Sequence, residues 1–109
     1  MAVAVNPVTN KIYVADCFGD AVTEIDGATD ATSYISVGNY SLEVAVNPVT
    51  NKIYVSCGSL AQGKSFLAVI DGASNSTTTL AHGNAPYFMA VNSVTNKIYV
   101  INDASANVT

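Results

Sequence analysis

Short apolar runs, each closed off by a cluster of Gly, Pro, Asn, Asp, Ser or Thr, set the rhythm of this chain. They fall at about residues 2–6, 11–16, 21–26 and 31–37, then 43–47, 52–57, 65–71 and 76–81, and finally 87–92 and 97–102. Runs of this length, rich in Val, Ile and Tyr, predict β-strands. Many are apolar at consecutive rather than alternate positions, as at Ile12, Tyr13 and Val14. A strand of that kind is expected to be covered on both faces, as in a sheet held between neighbouring sheets.

The pattern repeats. "AVNPVTNKIYV" occupies residues 4–14 and recurs unchanged at 45–55; a third copy at 90–100 differs only in Ser93. "VTEIDGA" at 22–28 aligns with "LAVIDGA" at 67–73. Each unit therefore predicts four short strands. The undecapeptide reads as a hairpin. Pro7 presets the first corner of its turn, Thr9 can bond the local backbone, and Asn10 tolerates the left-handed conformation that closes it. "DGATDAT" at 26–32 and "DGASNST" at 71–77 predict a second kind of turn.

Antiparallel four-stranded units of this period predict an all-β fold of β-propeller blades. Two blades, 1–41 and 42–86, are expected to be complete, and residues 87–109 supply the inner hairpin of a third. "NPVTNKIYV" followed by "IDGAT" resembles the YVTN-type β-propeller repeat family over almost the whole chain. That resemblance implies the propeller fold; many members are bacterial or archaeal proteins that are exported or associated with surface layers, and the localisation of this chain stays open. It implies no shared reaction.

Two and a half blades fall short of the 4–8 or so that close a propeller ring. Exposed blade faces and an open strand edge invite association. The expectation is completion by further repeats or by self-association. A symmetric dimer is the simplest assembly, formed through the blade faces and the edge of the 87–102 hairpin, with two such hairpins meeting about a two-fold axis.

Composition narrows the function classes. The chain of 109 residues is 50% hydrophobic and 11% charged, with net charge −4 and no Arg. Nucleic acid is not an expected partner, because phosphate binding needs clustered cations. No apolar run is long enough to span a membrane as a helix, and no signal peptide is recognisable in these residues. Cys17 and Cys57 lack metal-type spacing and read as small, partly buried side chains, with a single disulfide or a redox role as the alternative.

Blade topology places Lys11, Lys52 and Lys97 with Asp26, Asp30 and Asp71 on one loop face, where their charges offset. The opposite face gathers Asp16, Asp20 and Asp103, with Lys64 as its cation, and Asn39, Tyr40, His82, Asn84 and Tyr87 in the blade connections. Asp16, Asp20, Tyr40, His82, Asn84, Tyr87 and Asp103 form the candidate ligand face, suited to a cation or a polar small molecule. The plainer reading is ordinary loop polarity, with His82 an exposed turn residue. No catalytic triad order, nucleophile elbow, phosphate loop or calcium loop is present, and no metal or cofactor is implied. A non-catalytic structural or binding scaffold is the favoured class. The alternative is part of a propeller enzyme, or a small-ligand or metal-binding protein, using the acidic loop face.

Overall fold

The computed structural model describes residues 2–16, 21–37, 41–59, 64–81, 86–102 and 107–108. Every regular element among them is a β-strand. The first sheet is β1 (Ala2–Asn6), β2 (Lys11–Ala15), β3 (Ala21–Asp26) and β4 (Thr32–Ser36), in that order. The second repeats it with β5 (Ser41–Asn47), β6 (Lys52–Ser59), β7 (Lys64–Asp71) and β8 (Thr77–Ala81). The third contains β9 (Pro86–Asn92), β10 (Lys97–Asn102) and the two-residue β11 (Asn107–Val108). All pairings are antiparallel between consecutive strands. β11 was not expected from the sequence. It occupies part of the outer edge of β10, opposite Ile101 and Asn102, so that edge is less open than the predicted hairpin-to-hairpin pairing requires.

The turns use the chemistry their residues offer. Asn6 pairs with Lys11 to close the first hairpin around residues 7–10, and Asn10 takes φ 58°. Asn51 and Asn96 do the same at 55° and 56°. Asn is among the few residues other than Gly that visit this region readily. The local side-chain bond comes from a residue other than Thr9: Asn6 Oδ1 accepts the Val8 N–H at 3.1 Å, and Asn47 and Asn92 repeat the contact with Val49 and Val94. In the second turn type, Asp26 and Asp71 accept from the N–H groups two residues on, at 2.9 and 3.0 Å. The glycine that follows each Asp permits a close approach. Gly27 N–H donates to the Asn10 carbonyl, and a Cβ on Gly27 would sit 2.8 Å from that same oxygen.

The core lies between the first two sheets. Tyr13, Ala15, Val22, Ile35 and Val37 from one side meet Val44, Ile53, Val55, Cys57, Ala68 and Ile70 from the other. Ala2, Ala4 and Val46 pack against this cluster. The strands that open the sheets sit side by side, β1 against β5 and β5 against β9. The outermost strands β4 and β8 are polar, with Thr32, Ser33 and Thr77–Thr79 exposed. Polar, well-solvated edges resist unwanted strand addition. The sheets do not close into a ring within this chain.

Candidate functional site

The repeated undecapeptide places one asparagine at the end of a strand and another at the end of its turn, and these two positions join the sheets. Asn6 is fully buried and donates its Nδ2 to Asn51 Oδ1 at 3.0 Å, from the first sheet to the turn of the second. Asn47, also buried, donates in the same way to Asn96 Oδ1 at 3.0 Å in the turn of the third. In both donors the oxygen is already engaged by the local turn, so the amide nitrogen is left free to point outward. A buried amide without such a partner would cost about 1–3 kcal/mol. The acceptors are held by the left-handed backbone and by a glycine. Asn51 lies over Gly72, whose added Cβ would meet the amide Cγ at 2.6 Å, and Asn10 lies over Gly27 in the same manner. This arrangement converts an exact sequence repeat into a repeated contact between sheets.

Charges sit around the first of these contacts. Lys11 Nζ donates to Glu24 Oε1 at 2.9 Å and lies 3.8 Å from Asp26. Asn75 Nδ2, from the second sheet's turn, donates to Glu24 Oε2 at 2.8 Å. The nearly buried Glu24 carboxylate is thus bonded from its own sheet and from the next. Its hydrogen bond and charge hold the Lys11 ammonium above its usual pKa. Burial, helped by the Glu24 charge, raises the Tyr13 phenol. In the second sheet Lys52 pairs with Asp71 at 3.2 Å, and the Ala73 N–H and Lys52 together lower the Asp71 carboxyl. The expected offset of lysines by turn carboxylates therefore holds for Lys11 and Lys52. Lys97 is exposed, and no ion pair joins it among the described residues.

Cys57 is a free thiol buried against the Val37 carbonyl, and burial pushes its pKa up to about 12. A thiol so far from ionisation is a packing group, since the thiolate is the nucleophile and metal ligand. Ser56 is also fully buried, and its hydroxyl has no hydrogen-bond partner among the described residues.

Of the loop face selected from sequence, only Asp16 and the backbone of Tyr87 lie among the described residues. Asp16 is exposed just past β2 and is engaged in an interaction. Tyr87 lies within β9. Asp20, Tyr40, His82, Asn84 and Asp103, together with Asn39 and Cys17, lie outside the described residues. Among the described residues no group of three or more His, Cys, Asp or Glu is placed to hold a metal, and none of the strands is accompanied by a helix that could cross a membrane. Sequence reasoning missed the intersheet asparagines: it reads the hairpin turn through Pro7, Thr9 and Asn10 and gives Asn6 no role of its own. The signal available was the return of two asparagines at fixed places in all three copies. No family model and no curated protein matches the chain.

Proposed function

We propose that this chain is a non-catalytic β-propeller repeat segment of the YVTN type, a structural and binding scaffold completed by self-association. One observation carries the reading: equivalent positions in the repeats differ in burial only by whether a neighbouring sheet covers them. Val44 in β5 is 4% exposed, whereas Val3 at the matching place in β1 is 65% exposed. Covering such a side chain is worth about 1.5–3 kcal/mol. The free face of the first sheet therefore has the make-up of an interface. The side-by-side placement of the opening strands, β1 against β5 and β5 against β9, supports blades arranged about a common axis. A scaffold of this kind acts by presenting its loops from a rigid frame, and no reactive group among the described residues competes with that role.

Sedimentation velocity across a range of protein concentrations tests it. The expected result is a species of at least twice the 11.3 kDa chain mass, with thermal stability that rises with concentration. A compact monomer whose stability is independent of concentration would overturn the reading.

A further inference from the structure

We infer that copies of this chain join head to tail, the open face of the third sheet of one copy docking on the open face of the first sheet of the next, with Asn92 of the former donating to Asn10 of the latter. The inference rests on the self-association reading above and specifies its geometry.

The internal contacts supply the template. Across the first junction the donor face contributes Ala4, Asn6 and Tyr13, and across the second it contributes Ala45, Asn47 and Tyr54. The third sheet carries the same set as Ala90, Asn92 and Tyr99, and none of the described residues covers it: Ala90 and Asn92 are exposed, and Tyr99 is 46% exposed where Tyr13 is 1%. Asn92 is already set as a donor. Its Oδ1 accepts from Val94 and Thr95, as Asn47 Oδ1 does from Val49 and Thr50, and its Nδ2 has no partner among the described residues.

The receiving face is equally complete. Asn10 has the left-handed backbone of the two working acceptors and lies over Gly27 as Asn51 lies over Gly72. No hydrogen bond reaches its side-chain amide from the described residues. Around it stand Val3 and Val5, both exposed, with Ile12 and Val14 half-buried on the same face. Their counterparts Val44, Ile53 and Val55 are buried against the first sheet. The two open faces thus carry the two different halves of one interface that the chain forms twice within itself. Such unlike halves make a heterologous contact, which closes into a ring or runs on as a filament. Two copies joined at both ends bring six sheets together, within the range of about 4–8 blades that close.

A mixing experiment tests the geometry. Val3→Glu blocks the receiving face, and Asn92→Asp with Tyr99→Glu blocks the donating face. These side chains lie on open surface, and Asp at 92 keeps the oxygen that caps the turn. Each variant full-length chain, shown by circular dichroism to retain its β-sheet spectrum, is expected to associate at least about tenfold more weakly than the parent, which is the scale of one lost hydrogen bond or a buried charge. Mixed in equal amounts, the two variants should form a heterodimer, since each keeps the half the other needs. If the parent associates but the mixture shows no rescue, or if either variant alone self-associates as tightly as the parent, head-to-tail docking is wrong while self-association stands. A parent that stays monomeric overturns both.

Discussion

The junction between the first two sheets and the two open ends of the array are built from nearly the same residues, yet one is the core of the molecule and the others are surface. Tyr13 and Tyr99 occupy equivalent places in one undecapeptide, as do Val44 and Val3, and their exposures are opposite. Burial here is a property of having a neighbour. A strand that is apolar on both faces can be covered on both within this chain only if it sits in the middle of the stack. The second sheet does so: Ile53, Val55, Ala68 and Ile70 face the first sheet, and Asn47, Ser56 and Leu67 are buried on the opposite face. The end sheets are each left with one face open.

The comparison breaks most visibly at the isoleucine of the repeat. Ile53 is fully buried, while its equivalent Ile98 is half-buried. Ile53→Ala should lower unfolding free energy by about 2–5 kcal/mol, as large-to-small changes in packed cores do. Ile98→Ala should cost about 1 kcal/mol or less above that of an ordinary surface change. Urea denaturation of the two variants at one protein concentration measures the gap; equal losses would mean that the third sheet is packed as tightly as the second.

The alkaline limb of stability probes the same junction. The Cys57 pKa is raised to about 12 from an ordinary 9.0, so its contribution is complete below pH 9 and is lost as pH rises toward the folded value. The loss approaches about 1.4 kcal/mol for each pH unit in that window. Lys11 and Tyr13 are also raised and act with the same sign at higher pH. Cys57→Ala should therefore show a shallower decline between pH 9 and 10 than the parent, after correction for its lower starting stability. Identical slopes would place the thiol in contact with water.

Ser56 and Ala15 sharpen the contrast at a single atom. Both are fully buried at matching positions, but Ser56 carries a hydroxyl with no partner among the described residues. Ser56→Ala should raise stability by about 1 kcal/mol, since an unsatisfied buried donor is removed and little volume is lost. A destabilised variant would show that the hydroxyl is bonded in solution. A smaller gain is expected from Ser93→Pro, which restores the turn residue of the other two copies. Reduced freedom of the unfolded chain should add about 0.4–1 kcal/mol, visible as a modest rise in melting temperature.

Much of this architecture was legible in the residues. Ten strands follow from apolar runs bounded by turn residues, and their observed limits differ from expectation by a residue or two, as where β6 continues through Gly58 to Ser59. The left-handed turns at Asn10, Asn51 and Asn96 follow from the tolerance of Asn for that conformation. β11 was not legible, because Asn107–Val108 is too short for any periodicity to show. Nor was the intersheet role of Asn6 and Asn47. Local chemistry explains an Asn before Pro, and only the neighbouring sheet reveals that its second polar group is also used. The acidic loop face was a topological expectation, and just Asp16 and the backbone of Tyr87 fall among the described residues.

The claim that the repeated asparagines fasten one sheet to the next is tested most directly by a double-mutant cycle on Asn6 and Asn51. Asn6→Ala, Asn51→Ala and the double variant are unfolded in urea at one fixed protein concentration. Each single change carries its own turn penalty, which the cycle cancels. The expected coupling is about 0.5–1.5 kcal/mol, the net worth of one hydrogen bond across the junction. Additivity within about 0.3 kcal/mol would contradict it, leaving the sheets held by apolar packing alone.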